Sequence, residues 1–217
     1  GVSIDSIAEE MASGISTGGD NIFKVNKDFA ISHSIENQIL FPVIIGSNID
    51  RYIITHNDEY IIYTTRETDI ERYPNTKRYL MSFIEKLKNR SESKKGILPW
   101  FSLNRNRYKE LFTEPKIIMR QTSDSIRCVY DENGFYVLDS ILVLKKNTSL
   151  YSYKYIATVL NSKLTDYLYK KLTQEEGRTF AQVKPINVRK LYIPKASEED
   201  QEILSILYDY MAVLKGN

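Results

Sequence analysis

Apolar positions recur along the chain in two periods. Over residues 75–90, Tyr79, Leu80, Phe83, Ile84 and Leu87 fall at helical spacing behind Pro74, with Lys77, Arg78, Lys86, Lys88 and Arg90 elsewhere on the turn. That pattern predicts an amphipathic helix with a basic outer face. A second helix is predicted over 152–172 from Tyr155, Ile156, Val159, Leu160, Leu164, Tyr167 and Leu168, ending before Gly177. A third begins after Ser197, which with Asp200 resembles a capping box, and carries the stripe Ile203, Leu204, Leu207, Tyr210 and Met211. Residues 3–12 and "NRNRYKELF" read as further short helices.

The strand period accounts for the rest. "GISTGGDNIFKV" (14–25) reads as strand, turn and strand; the apolar run "ILFPVIIG" follows; "RYIIT" and "EYIIYTT" read as a hairpin about the turn-prone "HNDE". Four consecutive strands, "KIIMRQ", "IRCVYD", "GFYVLD" and "ILVLKK", predict an antiparallel sheet, with "DENG" as the hairpin turn between the second and third. "TFAQV" and "LYIP" read as the last strands. Strands in groups, interrupted by helices without regular alternation, give an α+β fold. The chain divides into a linker or helix at 1–12, a main domain at 13–195 and a C-terminal helix at 196–217. The terminal stripe has two readings: it packs on this domain's own core, the favoured one, or it docks a neighbour.

Composition narrows the class. Hydrophobic content of 42% and charged content of 27% are those of a globular protein. No apolar run reaches the length of a spanning helix, so no membrane partner is expected. The start at Gly1 and the lack of signal-peptide features read as a fragment of something larger. One cysteine excludes an internal disulfide framework, and with only His33 and His56 it leaves too few ligands for structural zinc. A reducing, intracellular home fits. The formal charge of +2 hides an asymmetry: residues 77–109 hold ten Lys or Arg against Glu85 and Glu92, a net of +8, which leaves −6 for the remainder. Such a block reads either as a solvated helix face or as a footprint for phosphates. Sixteen tyrosines suit cores and recognition surfaces alike.

Catalytic patterns are missing. "GISTGGDN" lacks the lysine and hydroxyl that follow a Walker loop's last glycine, and its glycines do not have dinucleotide-fold spacing. What remains is a loop of amides, a hydroxyl and Lys24 suited to a polyanion or a base edge. No glycine-rich cofactor loop or Asn/Asp-Pro-Pro-aromatic motif of an amino-methyltransferase is present. The one nuclease-like acid-x-lysine, Glu114-Pro115-Lys116, is read as the start of a strand at Pro115. Cys128, between Ile126 and Tyr130 on one strand face, reads as a buried hydrophobe, and Glu198 and Glu199 as helix-dipole charges. The chain reads as a binding module.

Several stretches, in order, resemble the target-recognition domains of type IIG restriction-modification enzymes, the TaqI-like specificity domain. They are "GISTGGDNIFKV", "IIGSNIDRY", "YIIYT", "YPNTKRYLMSFIEKLKNR", "PWFSL", "EPKIIMRQ", "YIATVLNSKL" and "VRKLYIPKASEEDQEIL". Gly19 and Asp20 stand where that family more often has one residue. The resemblance implies a domain that binds double-stranded DNA in a prokaryotic cytoplasm. It also implies an adenine methyltransferase domain of the same parent chain ahead of residue 1, and it leaves open a nuclease domain before that. S-adenosylmethionine and Mg are then expected only in those other domains, with no cofactor and no metal here. Thr17, Gly18, Asn21 and Lys24 come near DNA on this reading, although Thr17 and Gly18 equally suit a turn-holding role. Arg51 and Tyr52 match the family's Arg-Tyr, with Tyr52 also readable as core. Arg105, Arg107, Tyr108, Arg120 and Arg127 are the candidates for direct contacts, and Lys86 and Arg90 for phosphates. The alternatives are half of a type I specificity subunit and a non-catalytic scaffold.

Overall fold

The structure, a computed structural model, describes residues 1–173 and 181–216. The chain opens with β1 (Val2–Ser3), α1 (Ile4–Ile7), β2 (Ala8–Ser13), α2 (Asp20–Phe23), β3 (Lys24–Asn26) and α3 (Lys27–Ser32). Next come β4 (Leu40–Ile44), β5 (Ile49–Asp50), β6 (Ile53–Ile54), β7 (Glu59–Ile62), α4 (Pro74–Met81), α5 (Ile84–Lys88), α6 (Ser91–Lys94) and α7 (Glu110–Thr113). The second half holds β8 (Lys116–Arg120), β9 (Cys128–Asp131), β10 (Tyr136–Val137), β11 (Ile141–Lys146), α8 (Tyr153–Leu160), α9 (Lys163–Thr173), α10 (Pro185–Val188), β12 (Tyr192–Ile193) and α11 (Glu198–Gly216).

Two four-stranded sheets, ordered β2-β11-β8-β9 and β10-β4-β7-β3, make the α+β framework. The first is fully antiparallel and stands as a wall between two cores. Successive side chains of a strand point to opposite faces, so alternate residues serve different cores. Ile118, Val129, Ile141 and Val143 join Phe23, Ile44, Ile61 and Phe112 on one side. Ile117, Met119, Cys128, Leu142 and Leu144 join Tyr155, Leu160, Tyr169 and Tyr208 on the other. Burial on both faces explains why "IIM" (117–119) and "ILVL" (141–144) are unbroken apolar runs.

Several sequence expectations are corrected. The predicted helix over 3–12 is confined to α1, because residues 8–13 pair with β11 as an edge strand, a tertiary contact that overrides local propensity. "GISTGGDNIFKV" contains one helical turn and one short strand instead of a hairpin. "RYIIT" and "EYIIYTT" do not pair: β6 turns back on β5 and β7 lies between β3 and β4. The "DENG" turn is present, with Gly134 at φ 78° and the Asp131 carboxylate accepting from the N–H groups of Asn133 and Phe135 at 2.9 and 3.2 Å. The strand beyond it nevertheless crosses to the other sheet and pairs parallel with β4. The 75–90 helix breaks at Ser82–Phe83 into α4 and α5, and "NRNRYKELF" is helical only from Glu110. The 152–172 helix breaks at Asn161, whose buried amide accepts from Cys128 N–H at 3.0 Å and donates to Cys128 C=O at 2.9 Å. Gly177 and the start of "TFAQV" lie outside the described residues; Gln182 bridges to Thr122.

At the C-terminus, Asp200 N–H donates to Ser197 Oγ at 3.1 Å, the cap that the sequence predicts. The stripe does not pack as favoured. Gln201, Leu204 and Tyr208 face the second core, whereas Ile203, Leu207 and Tyr210 are exposed. The apolar residues outnumber those one helix face can bury.

Candidate nucleic-acid interface

The loop after β2 is built around close approaches. A Cβ on Gly14 would lie 2.3 Å from the Val137 carbonyl oxygen, so only glycine fits against β10. Gly18 is left-handed at φ 72° and faces the Asn104 amide. Thr17 is buried; its hydroxyl donates to Asp20 and accepts from Gly19 N–H at 2.9 Å. Thr17 therefore holds the turn.

Arg90 reaches into this loop from below. Its guanidinium donates to the Thr17 carbonyl at 3.0 Å, the Asn104 side chain at 3.1 Å and the Trp100 carbonyl at 2.8 Å, and its Nε donates to Leu87 C=O at 3.0 Å. Burial pushes its pKa down. Sequence reasoning placed Arg90 among outward phosphate contacts; the structure turns it inward as a strut. Its neighbour Lys86 is exposed and donates to Asn21, also exposed, at 3.2 Å.

Beside the loop, Ser16 bridges to Arg105, and two guanidinium groups converge on the end of β2. Arg105 donates to Ser13 Oγ at 3.0 Å, and Arg107 donates to the Ser13 carbonyl at 2.9 Å. Burial and the adjacent Arg105 charge hold the Arg107 pKa below the ordinary arginine range. Arg107 takes left-handed backbone, φ 60°, fixed by its carbonyl accepting from Tyr63 Oη at 2.5 Å and Asn106 Nδ2 at 2.8 Å. Such a backbone costs about 1–3 kcal/mol and persists where surroundings over-determine it. Among the described residues, neither arginine has a carboxylate within ion-pair distance, nor do Arg78, Lys86, Lys88, Lys94, Lys95 and Lys109 of the same basic block. Tyr108 is exposed and donates to Glu10.

The other candidates are tied into ion pairs or packing. Lys24 pairs with Glu59 across β3 and β7. Arg51 pairs with Asp166 of α9. Arg127 lies 3.3 Å from Asp50, which also holds Lys215 at 2.7 Å. Arg120 donates to the Thr122 carbonyl at 2.9 Å. Tyr52, at φ 73°, donates its N–H to Cys128 C=O at 3.2 Å and packs edge-on against Tyr208. Even so, the register places Ser13, Arg120 and Arg127 at the same end of the wall sheet. With strands about 4.8 Å apart, the arginine pair at Ser13 and Arg127 at β9 stand roughly 14 Å from one another. Sequence reasoning missed Ser13, Asn104, Asp50 and Asp166, which carry no local motif.

Nothing in this arrangement suits catalysis. Lys116 and Asp131 form a fully buried pair at 2.5 Å, and the exposed Glu114 pairs with Lys145, so the acid and the lysine of this motif are taken up in separate ion pairs. Burial pushes the Cys128 thiol up. Among the described residues, no cluster of three His, Cys, Asp or Glu could hold a metal, and no helix is long and apolar enough to cross a membrane.

The TaqI-like C-terminal specificity domain matches residues 41–193. The chain belongs to this family. The match covers the greater part of the chain, which is thus a specificity domain of the TaqI-like kind. The Type II methyltransferase M.BstVI of Geobacillus stearothermophilus is 23% identical over 195 residues, 87% of this chain and 34% of its own, so the domain spans about a third of that relative. Two solved structures share the fold. The type IIL restriction-modification enzyme MmeI in complex with DNA has a TM-score of 0.60 at 10% identity, covering 95% of this chain and 27% of that one. The type IIG restriction endonuclease BpuSI has a TM-score of 0.59 at 11% identity, covering 96% and 26%.

Proposed function

We propose that this domain reads duplex DNA through the loop at 14–21, Asn104, Arg105 and Arg107. It thereby positions the duplex for an adenine methyltransferase domain of the same parent chain, in a prokaryotic cytoplasm. The reading unit proposed is 13–195. The observation that supports this most is the pair of guanidinium groups on Ser13, which among the described residues has no carboxylate partner, beside Arg78, Lys86, Lys88, Lys94 and Lys95, which likewise have none, whereas Lys77 is paired with Glu71. Two like charges held together are unfavourable alone and favourable once an anion joins them. Arginine's planar fork offers two parallel donors to a phosphate or to guanine O6 and N7. Lys86, Lys88, Lys94 and Lys95 then take phosphates and fix register without reading sequence. In the same reading, Arg51 and Arg127 contribute only if DNA displaces Asp166 and Asp50.

The test is charge reversal. Arg105→Glu with Arg107→Glu should weaken duplex binding and lower the slope of log affinity against log salt by about two. Glu198→Lys with Glu199→Lys, on α11, should leave the slope unchanged or raise it. Equal binding by the two double variants would show that the footprint lies elsewhere.

A further inference from the structure

We propose that the methyltransferase part of the parent protein seats in an apolar groove between α9, β12 and α11, a surface separate from the arginine pair. The proposal rests on the function proposed above. The groove, about 630 Å³, is lined by Val159, Leu164, Leu168, Tyr192 and Leu204 together with Gly1, and among the described residues no acidic or basic side chain lines it. Leu164 and Tyr192 are 66% and 67% exposed. Ile203 and Leu207 extend the patch. On the 3.6-residue repeat they lie about 100° and 60° to one side of Leu204. Ser205 and Asp209, on the other side, are engaged with Ser152 and Lys154 at 3.0 and 2.8 Å. A contiguous apolar surface of this kind marks a protein contact on a soluble domain.

Three observations select the occupant. DNA presents phosphates, and a groove whose described lining holds no cationic side chain offers them nothing, so the occupant is protein. The chain matches 34% of M.BstVI, so most of that relative is protein outside this domain. Val2 and Ser3 are fixed by pairing with Ile193 and Tyr192, so any segment ahead of residue 1 leaves along the groove wall. The location also keeps the two functions apart. β1 and α1 precede β2, and the arginine pair sits at its far end, six residues or roughly 20 Å along the strand. A partner in the groove leaves Arg105 and Arg107 open to DNA.

The test compares amide hydrogen exchange in the full-length parent protein and in the 217-residue chain, both without DNA. Exchange in α9 and the first half of α11 should be at least about tenfold slower in the parent. Leu168→Glu with Leu207→Glu should abolish that difference while leaving the melting temperature of the 217-residue chain unchanged. Equal exchange in the two proteins would overturn the proposal. So would slower exchange that the double variant does not relieve, or sedimentation showing that the groove closes on a second copy of the chain. Failure of the 217-residue chain to bind duplex at low salt would instead remove the function reading, which this exchange measurement does not touch.

Discussion

Arg90→Met separates a strut from a phosphate contact. The substitution keeps an apolar stem of similar length over Phe23, where the guanidinium carbon lies 5.6 Å from the ring centroid, and removes every donor. Five acceptors lose a partner: Thr17 O, Asn104 Oδ1, Trp100 O and Leu87 O at 2.8 to 3.1 Å, and the Ser93 hydroxyl at 3.4 Å, the weakest of them. Leu87 O and Asn104 can turn to water or to other partners. Thr17 and Trp100 are held against the loop and count for more. A hydrogen bond from a charged donor contributes about 1.5 kcal/mol at the low end, so the two cost about 3 kcal/mol together. For a domain of this size that corresponds to a fall of roughly 6–12 °C in melting temperature. Arg90→Lys should recover little, because one ammonium cannot reach acceptors on three segments at once. Thermal unfolding and the salt dependence of duplex binding are read on the same samples. A strut predicts the stability loss with the salt slope unchanged. A stability loss below about 1 kcal/mol with a slope reduced by about one would refute the reasoning and make Arg90 a phosphate contact.

Further predictions concern the framework. Lys116→Met leaves the buried Asp131 carboxylate without its cation and should cost about 3–5 kcal/mol in urea unfolding, whereas a loss under 1 kcal/mol would contradict the buried pairing. Gly14→Ala forces a Cβ against the Val137 and Leu138 carbonyls and should destabilise by roughly 1–3 kcal/mol; a neutral result would mean β10 yields easily. Glu36 caps α4 from a distant segment, accepting from the N–H groups of Asn75 and Thr76 at 2.8 and 2.9 Å and from the Thr76 hydroxyl at 2.6 Å. Burial works against its ionisation, and these donors outweigh it, so its pKa is lowered from the ordinary 4.5. A depressed carboxylate stabilises fully above its unfolded value and stops doing so as pH falls through its folded one. Glu36→Gln should therefore cost about 1 kcal/mol at neutral pH, and the gap from wild type should close below pH 4.5. A gap that is independent of pH would remove the charge from the explanation.

What was legible in the sequence followed local periodicity. α11 and its Ser197 cap, the strands "KIIM" and "ILVL", and the buried Cys128 depend on spacing and burial that neighbours along the chain specify. The errors arose where a distant segment decides. Residues 8–13 become a strand because β11 offers an edge, and Tyr136 leaves its hairpin because β4 offers another. The long helices break where Asn161 is recruited by Cys128 and where Phe83 turns toward the first core. Within the basic block at 77–109, charge alone could not separate Arg90, which turns inward, from Lys86, which stays exposed. Arg51 and Arg127 looked free because Asp166 and Asp50 are partners that only the fold reveals.

Whether this domain reads duplex sequence with the surface around Ser13 is decided by titrating its binding to a pool of random duplexes with salt and sequencing the bound fraction. Binding should fall steeply with salt and enrich a short motif, and that motif should be lost when Arg105 and Arg107 are replaced by alanine. Binding that ignores salt, or a motif that survives removal of both arginines, would contradict that reading.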